Sequence, residues 1–425
     1  MDETMLITTF ALLAFILLLA YIALRGVYEF RLSLGENADE HMPLFAPHTG
    51  TSASFHQRHP IYAIVLLVLG ARLATWLLAW LLFIFRENQV VGFFDSLKTI
   101  WWRWDAVHYL NIAAHGYVTD AMPEKLNLVF YPLYPALVAL IGLTGIPVFA
   151  ASLIASLAAF CGACIVLYRL VERETQNTQL AWDCCKILVI FPFSFFFAMP
   201  YTESLFLLLT LLSFWYLRGG HWLLAGVFAA LAGFTRNQGI LLLVPFAVEI
   251  LLRWRNGQLH RPWRALLGLT LVPLGLLAYL AINHIVAGNW LQFLIYQRQN
   301  WSQSFGFMPS NVANAFSNLV QGDLNLALGT WLPTVLCYFA AIALLLTSGR
   351  QLPLPYLAYA AVYLWVSYSP SWLLSGPRYL MSLFPLVIAT GMLMQKNRYW
   401  HQAIELIMLF GLGFFLLMYI HYQVY

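Results

Sequence analysis

One stretch of this chain concentrates chemistry: WWRWDAVHYLNIAAHGY, residues 101–117, set between long apolar segments. It brings Arg103, Trp104, Asp105, His108 and His115 together. If Trp104 to His115 is helical, Asp105, His108, Ile112 and His115 share one face, because residues three and four apart align along a helix. A carboxylate beside apolar surface binds its proton more tightly, which moves Asp105 towards general-base strength; Arg103 would oppose that shift. Two other readings stay open. Asp105 can cap the helix that follows it. The spacing of Asp105, His108 and His115 also permits a divalent cation, against which stands the reading of surface histidines. No other cofactor is assigned.

Other candidates lie far along the chain. Glu203, in FFFAMPYTESLFLLL, stands at an expected helix start in strongly apolar surroundings, where an acid is a functional candidate. Arg236 in GFTRNQG and Arg378 in SGPRYL sit in Gly- or Pro-interrupted breaks. A guanidinium there can snorkel to the boundary, or grip an anionic group through a forked hydrogen bond. Trp102, Trp104 and Tyr131 offer flat apolar faces for stacking, with interfacial anchoring as the competing role.

The elements that must hold these groups are membrane helices. The 425-residue chain is 61% hydrophobic and only 9% charged, against about 25% charged in soluble domains. Apolar runs long enough to approach a span lie at about 5–24, 61–85, 147–168, 181–199, 201–217, 221–235, 238–252, 265–287, 330–348, 353–368, 379–394 and 402–422. The expected fold is an all-α polytopic bundle of about twelve spans. Residues 130–143, broken by Pro132 and Pro135, read as a helix lying at the outer surface, with a partial span as the alternative. With the N-terminus outside, most of the 22 Lys and Arg residues fall in inner loops, Arg253, Arg255, Arg261 and Arg264 among them, as the positive-inside rule requires. The first outer segment, about 86–146, is then the large extracytoplasmic loop, and a second runs over about 288–329. Residues 1–60 divide off as an apolar helix plus a polar inner segment, and 61–425 form the catalytic part. The acidic start does not suit a cleavable signal. The cysteines, all in apolar segments, imply no disulfide framework, and scattered basic residues imply no nucleic-acid partner.

RWDAVHYLNIAAHGY followed by LVFYPLYP resembles the first-loop signature of the PIG-V family of mannosyltransferases. FPFSFFFAMPYTESLF, LAGFTRNQG and SGPRYL are similar to its later motifs, in order, so the resemblance covers roughly residues 60–395. It implies a GT-C-like membrane glycosyltransferase that takes a sugar, commonly mannose, from a polyprenyl-phosphate donor on the outer side, with inversion. Carried over by motif, the essential first-loop acid is Asp105 and the second acidic position is Glu203. The extra N-terminal helix, the 25–60 insert and the short outer loops point to a prokaryotic member in a bacterial plasma membrane. Its acceptor would be a glycan, lipid or protein hydroxyl rather than a GPI anchor. The competing classes are a transporter or flippase of lipid-linked intermediates, and a non-catalytic scaffold.

Overall fold

The computed structural model describes residues 3–32, 55–117 and 126–424. The expected polar inner segment therefore lies largely outside the described residues. Among them the chain is helical, and the lone β-bridge joins Phe305 to Pro370.

Among the described residues, seven helices are long and apolar enough to cross a membrane: Glu3–Phe30, Pro60–Glu87, Val148–Thr175, Asn237–Arg255, Pro262–Ala287, Leu324–Ser348 and Arg398–Ile420. The other expected spans are shorter helices: Thr178–Ile190, Glu203–Arg218, Trp222–Gly233, Leu354–Ser367 and Phe384–Met394. Each of the about twelve expected spans thus corresponds to a helix, and five of these fall short of membrane length. The physical reason is burial. The Glu203–Arg218 and Leu354–Ser367 helices are enclosed by protein along most of their length. A helix walled in by protein need not match the hydrocarbon thickness. The long helices, Glu3–Leu32 and Pro60–Glu87 above all, expose leucines outward.

Shortening the inner helices creates polar breaks that must be satisfied internally. The clearest lies after Ile190, at FPFSFFFAMPYT, where a full span was expected over 181–199. Pro192 and Pro200 bar a continuous helix, and only a 3₁₀ turn forms over Ser194–Ala198. Arg72, from the Pro60–Glu87 helix, reaches across and donates to the carbonyls of Val189 at 2.7 Å and Ser194 at 2.5 Å. Ser156 donates to the Met199 carbonyl (2.7 Å) and Ser204 to that of Phe197 (2.9 Å). The break delivers Tyr201, Thr202 and Glu203 to one end of the bundle.

A second break, at Phe234–Gln238, carries Arg236. The Trp222–Gly233 helix reaches it by packing closely on Pro262–Ala287, where Gly226, Gly268 and Gly275 leave no room for a side chain; small residues permit such backbone approach in membranes. The region expected to lie at the outer surface forms the helix Leu133–Gly142, buried along one side at Tyr134, Pro135 and Val138. It packs against Asp105–His115 and Val148–Thr175. There the Tyr134 hydroxyl donates to the Ser152 carbonyl at 3.0 Å. Its other side stays open, with Leu140 62% exposed.

The Glu203–Arg218 helix links two charge clusters. At its far end Arg218 pairs with Glu174 (2.9 Å) and Glu249 (2.7 Å), and Arg253 pairs with Glu249 (2.6 Å). Arg72→Leu should strand two buried carbonyls, at about 1–3 kcal/mol each. The expected outcome is a thermal midpoint in detergent several degrees lower; an unchanged midpoint would refute the role assigned to this arginine.

Candidate active site

Asp105 is the first residue of the Asp105–His115 helix. The turn before it is strained: Trp104 has φ +54°, a conformation unfavourable for a bulky side chain. Trp104 occupies the cap position and no side chain caps the helix, so capping is not what Asp105 does. Arg103 turns away. Its Nε donates to the Ile100 carbonyl at 2.6 Å, and its guanidinium lies 4.3 Å from the Tyr419 ring centre and 4.5 Å from that of Tyr422. The basic neighbour of Asp105 comes from elsewhere in the chain.

That neighbour is Arg378, on the short Gly376–Leu380 helix. Its Nη2 lies 2.8 Å from Asp105 Oδ2, and its Nε donates to Glu203 Oε1 at 2.6 Å. The same Glu203 oxygen accepts from Arg236 Nη1 at 2.5 Å, and Arg236 also donates to Thr202 Oγ1 at 3.1 Å. The result is an alternating line, Asp105–Arg378–Glu203–Arg236, assembled from separate elements. Burial alone would loosen the protons of the two guanidiniums. The Glu203 carboxylate more than offsets this, and both sit above the ordinary arginine range. Tyr201 and Phe196 add ring faces beside Arg378, with Tyr201 at 4.4 Å.

The line floors a cavity of about 600 Å³, within the range of ligand sites. Asp105, Arg236 and Arg378 line it. Glu203 does not: it is 0% exposed, and its Oε2 has no partner among the described residues. Glu203 was expected to be catalytic; it lies beneath the wall and holds two guanidiniums that form it. His108 does line the cavity, stacked 4.3 Å from Phe130 and 3.1 Å from Asn127 Oδ1. Tyr131 lines it too, stacked 3.9 Å from Tyr279. Burial pushes the Tyr131 phenol up, so it stays neutral, and its hydroxyl lacks a partner among the described residues.

His115 is exposed and neither it nor Arg103 is among the lining residues. The helical face expected to carry Asp105, His108 and His115 therefore splits, since Ile112 buries into the bundle while the helix end projects outward. Among the described residues no three His, Cys, Asp or Glu side chains group to hold a metal ion.

The sequence left one wall unread. The Gln292–Trp301 helix and the residues after it contribute Gln297, Asn300, Trp301 and Gln303, with Gln238 and Trp372 also lining the cavity. The wall is sewn to the Arg378 segment: Ser371 N donates to Ser304 O (2.8 Å), Gly306 N to Ser369 O (2.7 Å), and Asn311 Nδ2 to Ser369 O (2.7 Å).

Residues 87–305, just over half of the chain, match the sequence profile of the family described as Mannosyltransferase (PIG-V). The chain belongs to the PIG-V family of mannosyltransferases. GPI mannosyltransferase 2 of Drosophila pseudoobscura pseudoobscura is 31% identical over 113 residues, covering 24% of each chain. GPI mannosyltransferase 2 of Yarrowia lipolytica is 27% identical over 124 residues, 29% of this chain and 34% of its own. The chain thus spans about a quarter to a third of the length of these relatives. Among solved structures, the Archaeoglobus fulgidus oligosaccharyltransferase, crystallised with Zn and sulfate, overlaps at a TM-score of 0.39 with 13% identity, covering 70% of this chain and 45% of that one. The family match takes in Asp105, Glu203 and Arg236, and leaves Arg378 beyond its end. Arg378 joins this family site through space.

Removing the shared anchor tests the line. Glu203→Gln should cost on the order of 3–5 kcal/mol, because a buried cation loses its counter-charge. Adding Arg236→Met should then recover stability. Unfolding in nanodiscs measures both, and purely additive losses would show that the charges are not coupled.

Proposed function

We propose that this family member moves a hexose, mannose first among them, from a polyprenyl-phosphate carrier to an acceptor hydroxyl outside the cytoplasm. The observation that carries the reading is the placement of one carboxylate, Asp105, on a cavity wall beside two fixed guanidiniums. Phosphate chemistry needs the guanidiniums; a neutral hydroxyl nucleophile needs the carboxylate.

The step follows from that division. The acceptor oxygen attacks the anomeric carbon as its proton passes to the Asp105 carboxylate. The bond from that carbon to the phosphate oxygen breaks, and its electron pair leaves on the phosphate. Arg378 and Arg236 meet the charge that gathers there. A lipid phosphate leaves without protonation, so a second acid on the wall is unnecessary. The withdrawal of Glu203 beneath the wall suits a single displacement, hence inversion, since a double displacement needs a second carboxylate near the anomeric carbon as nucleophile. Trp301, Trp372 and the amides of Gln297, Asn300 and Gln303 suit a saccharide or other hydroxyl-rich acceptor. A turn of the Tyr131 ring would bring its hydroxyl, buried without a partner among the described residues, to a sugar oxygen.

The basic cluster around Arg218 and Arg253 at the far end of the bundle supports an outward-facing site in a bacterial plasma membrane. Against a flippase, the deep charges are committed elsewhere: Arg72 to backbone carbonyls, and Lys186 to Asp183 (3.1 Å) and Glu405 (2.6 Å).

Reconstituted protein should release labelled sugar from a polyprenyl-phosphate hexose. Release from nucleotide sugars alone would refute the donor. Asp105→Asn should lower the transfer rate by about 10²–10⁴-fold while the protein stays inserted, and full activity would remove the base. Tyr131→Phe should raise the donor KM several-fold at an unchanged kcat; equal falls in kcat and kcat/KM would show that its hydroxyl acts only in the transition state.

A further inference from the structure

We propose that the Asp105–Arg378 ion pair is a latch that the donor phosphate opens, releasing Asp105 to act as base only once the donor is seated. The inference rests on the donor reading above and adds an order of events to it.

Arg378 touches both acids, but it holds them unequally. Its Nε is fixed by Glu203, which is fully buried and shares the same oxygen with Arg236. Nothing entering the cavity reaches that contact. Its Nη2 is engaged by Asp105, whose side chain is 33% exposed and lines the cavity. Among the described residues no other charged side chain pairs with Asp105.

A phosphate gripped by a guanidinium fork takes two parallel N–H donors. With Nε spent on Glu203, a forked grip must use both terminal nitrogens, and one of them is already committed. The four charges of the line also balance formally, two carboxylates against two guanidiniums. An arriving phosphate therefore meets a neutralised site, with a carboxylate occupying its seat. It displaces the more accessible competitor. Arg378 keeps its anchor on Glu203 and turns its fork to the phosphate, and Asp105 is left facing the acceptor. Until then Asp105 Oδ2 is held on Arg378 rather than turned to the acceptor.

This reading inverts the ordinary expectation for a site residue. Removing the Asp105 charge should tighten donor-phosphate binding. In nanodiscs, with farnesyl phosphate and a C55 polyprenyl phosphate as probes, Asp105→Asn should bind about tenfold tighter or more than wild type. Asp105→Ser, which deletes the charge with a different shape, should also bind tighter; Asp105→Glu, which keeps the charge, should not. Arg378→Ala should bind weakly. Equal or weaker binding by both neutral variants overturns the latch while leaving the donor reading standing. Wild-type and Arg378→Ala proteins that bind the phosphates equally would instead overturn the donor role of Arg378, and the latch with it.

Discussion

A single carboxylate in apolar surroundings sets the terms for this molecule. Glu203 is sealed from solvent, yet it holds two guanidiniums from distant parts of the chain on one oxygen. A lone ion at such a depth is prohibitively costly; a well-partnered set is tolerable. The segments bearing Arg236 and Arg378 must therefore converge on the start of the Glu203–Arg218 helix. Only then can Arg378 also reach Asp105. Buried ion pairs contribute little net stability. What this one supplies is registration: it fixes which breaks in which helices meet.

The architecture around it follows. Charged groups can enter a membrane bundle where helices stop, and helices can stop short where protein surrounds them. The inner helices are the short ones, and they end in polar breaks at the cavity end. The outer helices are long, leucine-rich and uninterrupted enough to cross. Arg72 shows how the costs are met: a cation within the bundle finds no acid and instead satisfies carbonyls that a proline-broken segment leaves open.

Much of this was legible in the sequence, for a physical reason. In a chain with 9% charged residues, each charge near a break is conspicuous, so Asp105, Glu203, Arg236 and Arg378 stood out. Their roles were less legible. Sequence cannot say which way a side chain turns, so Glu203 looked like an acid for chemistry and is an anchor in the structure. Arg103 looked like the neighbour of Asp105 and packs instead on Tyr419 and Tyr422. His115 continued a helical face that the structure ends in the open. Gln297, Asn300 and Gln303 gave no signal, because amides in a polar loop are ordinary until a cavity forms against them. Hydropathy located each apolar segment but could not separate helices facing lipid from helices facing protein, which is why it did not tell the long helices from the short ones.

The seam between residues 304–306 and 369–371 joins the amide-bearing wall to the stretch leading into Arg378. Two loops hydrogen-bonded backbone to backbone cannot slide independently. Any ligand that draws the 292–303 wall inward pulls on the guanidinium's own tether. The two sides of the cavity are thereby geared to one another, and compression from either side is felt at both.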